Sequence, residues 1–196
     1  MPQAWHLLSY STGRLQSVFG KASEAEEAAL MNMIDLEMGA TPEDEIGMLA
    51  KKIAKEGIHY EALQPRQAEV VDQILGISFS QEGLWNELEL EEEMPEGVDL
   101  KHITELLRLA GSQPFEVLPV LKAGRRYKCP VGPQCHYFIL DRMEVPKLAQ
   151  EARSLVTKTD LKWSSKEVPE RLMDGLVMVC DFVVKKQKPL AGVLSQ

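Results

Sequence analysis

Apolar positions recur along this chain at helical spacing in some stretches and as short unbroken runs in others, and the changes mark its elements. Between Ser23 and Gly39, Leu30, Ile34 and Met38 return every fourth residue. Ser23 is a capping residue, and Glu24, Glu26 and Glu27 occupy the first turn, where the helix dipole favours negative charge. This predicts a helix. Thr41-Pro42-Glu43-Asp44 predicts a second start, with Thr41 as cap and Pro42 pre-set for the first helical position, and Ile46, Leu49 and Ile53 form a stripe up to Gly57. A third helix is predicted from Pro65 to Leu75. A fourth begins at Val98 or Asp99, carries Ile103, Leu106, Leu107 and Ala110 inward, and stops at Gly111.

The runs read differently. Trp5–Tyr10 predicts a strand ended by Ser11-Thr12-Gly13, with a short helix from Arg14 to Phe19 closed by Gly20. Phe115–Leu121 predicts a strand edged by Pro119, Tyr137–Leu140 a buried strand, and Leu190–Leu194 a terminal strand returning beside Trp5–Tyr10. Asp141 and Ser164 each stand three residues before a glutamate and four before a Val-Pro pair, which predicts two helix starts with shared capping chemistry and prolines that shift or kink the first turn. In the last helix Leu172, Leu176, Val179, Cys180 and Val183 face inward; with Met173 and Val177 beside them, it is apolar on nearly all sides.

These elements predict a helix-rich α+β fold in a single domain over 1–196, with a small sheet of about four strands that includes the N- and C-terminal ones. An acidic insertion at about 80–97 is the best internal boundary. The order of elements, with Leu118-Pro119-Val120 before a loop and Tyr137–Leu140 feeding Glu144-Val145-Pro146-Lys147-Leu148-Ala149, resembles a family of small bacterial proteins typified by YfbM. The acidic segment 82–96 and the cysteine-containing loop 129–135 lie outside that pattern. The resemblance implies a fold and, of function, only a role in neutralising a toxin.

Charge divides the chain sharply. Residues 1–100 carry 6 basic and 20 acidic side chains, a net of −14, and residues 101–196 carry 16 basic and 10 acidic, a net of +6. A pI near 5.1 argues against a general nucleic-acid binder. No run reaches the roughly 18 apolar residues of a spanning helix, and the start lacks a basic segment followed by an apolar one, so no membrane partner and no export are expected. Three cysteines cannot all pair, which fits a reducing cytoplasm.

The densest chemistry lies between Lys122 and His136. Arg125, Arg126 and Lys128 are a candidate anion-binding patch, because arginine forks suit bidentate contacts; a solvated hairpin tip is the plain alternative. Cys129, Cys135 and His136 are candidate metal ligands, with His59 or His102 as helpers. The cysteines are six apart rather than the usual two to four, so loop cysteines and a strand-edge histidine compete with that reading. The same cations favour a thiolate at Cys129. No Walker loop, Gly-x-Gly-x-x-Gly, Gly-x-Ser-x-Gly or His-Glu-x-x-His occurs, and no cofactor is implied.

Ser80–Glu96 holds seven acids and no base. It lacks the alternating ligands of a calcium loop, and reads as a solvated face that steers a basic partner or as a plain solubility feature. Trp85, Glu89, Glu91, Glu92 and Glu93 are its candidate partner-binding residues. Met31, Met33, Met38 and Met48 fall at helical spacings and read as core filling before they read as an adaptable groove. The leading expectation is a non-catalytic cytoplasmic binding protein that uses an acidic surface to engage a basic protein partner. The alternative is a small metal- or thiol-dependent enzyme centred on Cys129, Cys135 and His136.

Overall fold

The computed structural model describes residues 3–9, 15, 18–80, 98–129 and 135–194. The chain is a helix-rich α+β protein that partitions into two compact units, one of Met1–Ser9 with Glu89–Gln196 and one of Tyr10–Leu88. The helical stretch is thus inserted in sequence after the first strand. One boundary falls within the acidic segment; the other, immediately after Ser9, carries no composition change.

In the helical unit, α1 (Glu24–Met38) starts as predicted. Ser23 Oγ accepts from the Glu26 amide, and the Glu26 carboxylate accepts from the Ser23 amide at 2.8 Å, a reciprocal capping box. The helix ends on Gly39 at φ 61°. The second helix, α2 (Glu45–Glu56), corrects the expected start: Asp44, not Thr41, is the cap. Asp44 Oδ1 accepts from Gly47 N at 2.8 Å and Oδ2 accepts from Thr41 N at 2.6 Å. One carboxylate satisfies both the helix end and the turn before it, so the helix begins about a turn late and Pro42 lies in that turn. Gly47 permits this close approach, since a Cβ there would sit 1.9 Å from Thr41 O. The third helix, α3 (Pro65–Ser80), runs five residues past the predicted Leu75. Leu30, Ile34, Leu49, Ile53, Val71, Ile74 and Leu75 are buried. Each such side chain is worth about 1.5–3 kcal/mol relative to exposure.

The other unit carries an antiparallel sheet in the order β2-β1-β4-β3, with β1 Ala4–Ser9, β2 Val98–Asp99, β3 Tyr137–Leu140 and β4 Leu190–Leu194. The terminal strands pair with Trp5 opposite Leu194 and Ser9 opposite Leu190. Phe138 lies opposite Gly192, where a Cβ would come within 2.2 Å of the Phe138 ring. That ring meets Trp5 edge-on, with centroids 4.9 Å apart.

Phe115–Leu121 is not a strand, and Val98–Asp99 takes the fourth place in the sheet. The cause is Glu151, on α6 (Glu144–Val156), which follows α4 (Leu100–Ala110) and the single turn α5 (Val120–Ala123). Its carboxylate accepts from Glu116 N at 2.9 Å, Val117 N at 3.2 Å and Leu118 N at 2.7 Å. Successive amides of a strand point to opposite sides, so a segment that aims three at one carboxylate cannot be extended. Trp5 Nε1 then donates to Leu121 O at 2.9 Å, fixing α5 to the first strand.

The two similar helix starts diverge. Asp141 Oδ1 accepts from Met143 N and Glu144 N, and Glu144 Oε2 accepts from Asp141 N at 3.0 Å, the predicted reciprocal cap. Ser164 instead donates through both N and Oγ to Glu105 on α4, while Glu167 pairs with Arg171. The last helix comprises α7 (Glu167–Leu172), a π-helical turn Met173–Val177 and α8 (Met178–Lys185). The wider turn rotates the following face, and Leu172, Leu176, Val177, Val179, Cys180 and Val183 are all buried.

Candidate functional site

The loop rich in cations and thiols is fastened to β3. Gly124, at φ 70°, lies so close that a Cβ would stand 2.3 Å from Cys135 O. Arg125 N donates to Tyr137 O, Cys135 N to Ala123 O, and Tyr127 N to Tyr137 Oη. The Arg125 fork is taken: Nη1 donates to Glu144 Oε1 at 2.6 Å, and Nη2 to Glu144 Oε2 at 2.7 Å and to Ile139 O. Burial works against the Glu144 charge, but the Arg125 bonds, the Asp141 amide and the nearby Lys147 prevail and hold its carboxyl below the usual range. This pair ties Arg125 to the start of α6. Arg126 is half-buried, and its carbonyl accepts from Cys129 N. Lys128 is exposed at φ 58°, its Nζ 5.1 Å from the centre of the Tyr127 ring.

Cys129 is half-buried, Cys135 buried and His136 exposed. Among the described residues no three His, Cys, Asp or Glu side chains gather closely enough to hold a metal ion, so the structure does not bring these three together in that way. His59 lies in the helical unit with Nδ1 3.6 Å from Glu61, and His102 lies on α4. Cys180 is enclosed in the core; burial pushes its thiol up to about 12, which keeps it protonated and chemically quiet near neutrality. Trp85, Glu89, Glu91, Glu92 and Glu93 lie outside the described residues.

Two surfaces not anticipated from the sequence have the makings of contact sites. The first is the outward face of α1. At 100° per residue, Ala25, Ala28, Ala29, Asn32 and Leu36 fall on the side opposite Leu30 and Ile34; all five are exposed, Leu36 by 79%. Glu24 and Asp35 border this stripe on one side; on the other it gives way to buried Met33, with Glu26 and Glu37 beyond, and the helix holds no base. Glu27 reaches Lys55 on α2 at 3.3 Å. Helical spacing alone separates this face from the buried one, so the pattern was legible had both sides of the helix been read. The methionines divide similarly: Met31 and Met33 are buried and Met38 half-buried, whereas Met48 is 58% exposed.

The second surface is an open groove of about 630 Å3 in the α+β unit, lined by Leu161, Lys162, Trp163, Ser165, Lys166, Pro169 and Glu170. It lies where the chain passes from α6 to α7. No helix among the described residues is long and apolar enough to cross a membrane. No family model, curated protein or solved structure matches the chain.

Proposed function

We propose that this is a non-catalytic interaction protein whose acidic helical unit engages a basic protein partner. The observation that carries the reading is the outward face of α1, a stripe of small residues ending in exposed Leu36 and bordered along one edge by the carboxylates of Glu24 and Asp35. Small side chains allow a partner backbone to approach closely, the leucine supplies apolar contact, and Glu24 and Asp35 meet Lys or Arg along one edge. A basic amphipathic helix has that complement. Residues 10–88 carry 6 basic and 14 acidic side chains, so their net of −8 adds long-range attraction to the contact. The resemblance to the YfbM-like family, with toxin neutralisation as its implied role, is compatible with such a partner, and a cytoplasmic setting belongs to the same proposal.

A labelled amphipathic helix of lysine, leucine and alanine tests the reading by fluorescence anisotropy. It is expected to bind saturably, with affinity falling steeply between low and physiological salt. Leu36→Glu should weaken it about tenfold or more without altering the unfolding midpoint, because the side chain is exposed. Replacing Glu89, Glu91, Glu92 and Glu93 with glutamine should slow association if the acidic segment adds steering. Equal binding of a glutamate-for-lysine control peptide, or indifference to Leu36→Glu, overturns the proposal.

A further inference from the structure

We infer that the Trp163 groove is a second binding site, of opposite character to α1, which takes an extended acidic peptide carrying leucine or proline between its carboxylates. The groove is built from the loop that leaves α6 at Thr157 and enters α7 at Glu167. Leu161 and Trp163 are half-buried against the hydrophobic core, and Pro169 is half-buried beside them, so the floor is apolar and anchored. The loop is held from behind. Ser164, next to Trp163, donates through both its amide and its hydroxyl to the Glu105 carboxylate. Burial disfavours the Glu105 charge, yet the Ser164 bonds and neighbouring Arg108 hold its carboxyl below the usual range, so the anchor is ionised near neutrality.

The groove therefore presents a site formed in advance, which lowers the ordering cost of binding. Its polar groups set the ligand's charge. Lys162 and Lys166 are exposed on the lining, and neither makes an ion pair among the described residues. The Trp163 indole N–H likewise has no hydrogen-bond partner among them. Two ammonium groups and an indole donor beside an apolar floor fit carboxylates alternating with apolar side chains, a spacing that an extended peptide supplies naturally. A nucleic acid strand fits less well. It asks for a continuous track of cations, whereas this lining carries two lysines; Glu170 repels phosphate and carboxylate alike, which bars a uniformly anionic strand but not a peptide whose charges alternate with apolar side chains.

The probe is a fluorescein-labelled octapeptide that alternates glutamate with leucine and contains one proline, titrated with the full chain and read by anisotropy. Saturable binding is expected. It should weaken at least about fivefold when the peptide's glutamates become glutamine, and vanish when they become lysine. Trp163→Ala should weaken it at least about tenfold. Because Trp163 also packs against the core, the deciding variant is the exposed pair Lys162→Glu with Lys166→Glu, which should retain the wild-type unfolding midpoint and lose binding. Absence of saturable binding, equal affinity for the glutamine peptide, unchanged binding by the lysine double variant, or tighter binding of a dodecathymidylate strand each overturn the inference. Since Leu36→Glu lies in the other unit, it should leave this affinity unchanged, so failure here and failure of the α1 proposal are separately visible.

Discussion

The two units hold their non-repetitive backbone in different ways. In the helical unit the side chains that cap backbone act over three residues, Ser23 with Glu26 and Asp44 with Thr41 and Gly47, and the longer links are the Gly20 and Ala22 amides, which donate to Ala54 O, and the Tyr60 Oη bond to Asp72 at 2.6 Å. In the α+β unit they span the chain: Glu151 to the amides of 116–118, Arg125 to Glu144, Glu105 to Ser164, Trp5 to Leu121. Charge separates in parallel, −8 over residues 10–88 against 16 bases and 11 acids over 98–196. A unit made of capped helices specifies its helix ends locally. A sheet whose strands come from both ends of the chain needs anchors that sequence distance conceals.

The largest effects should arise in the two cores. Leu176→Ala, in the π turn, and Ile34→Ala, in α1, both truncate side chains with no exposed surface, and each is expected to cost about 2–5 kcal/mol. Denaturant titration followed by circular dichroism measures both. A loss within about 0.5 kcal/mol for either would show that its helix face is misassigned.

The contrast between local caps and distant anchors predicts an intermediate pair. Glu151→Ala strips the acceptor from amides 116–118 and should cost about 1.5–3 kcal/mol, the range for bonds to a charged group. Ser23→Ala should cost about 1 kcal/mol, since α1 keeps its remaining first-turn chemistry. Equal losses measured by chemical unfolding would break the comparison. Protection of the Glu116, Val117 and Leu118 amides from hydrogen exchange should drop selectively in Glu151→Ala.

What the sequence revealed follows the same division. The capping box at Ser23, the stripe Ile103, Leu106 and Ala110 ended by Gly111, the runs Tyr137–Leu140 and Leu190–Leu194 and their α+β class were all legible, because each is written in adjacent residues or at one helical period. Phe115–Leu121 misled: its apolar run has strand composition, and only Glu151, thirty-odd residues later, overrides it. Thr41 misled on a smaller scale, since Asp44 can bond on both sides and Thr41 cannot. Of the candidate chemistry, composition marked Arg125 as an anion ligand, but Glu144 occupies its fork, a pairing across 19 residues. Trp163 carries no local signal in the sequence, because the loop that holds it is anchored through Ser164 to Glu105, 59 residues away.

The last expected effect, absent near neutral pH, is a pH dependence that the buried thiol places in the α+β unit. All three cysteines lie there, and Cys180 is fully buried, its thiol raised to about 12 from an ordinary value of 9.0. For a group whose folded value is raised, the stabilisation is complete below the unfolded value and is lost as pH climbs towards the folded one, because the unfolded chain releases the proton first. Cys180 should therefore contribute a loss that begins near pH 9, reaches about 1.4 kcal/mol by pH 10 and continues until about pH 12. Lysines and tyrosines titrate over the same range, so the measurement is a difference. Cys180→Ala loses a constant amount for the cavity it leaves, and its stability should then fall less steeply than wild type above pH 9. Parallel curves from pH 7 to 10.5 would mean that the thiol ionises without opening the core, and that α8 is more accessible than its packing implies.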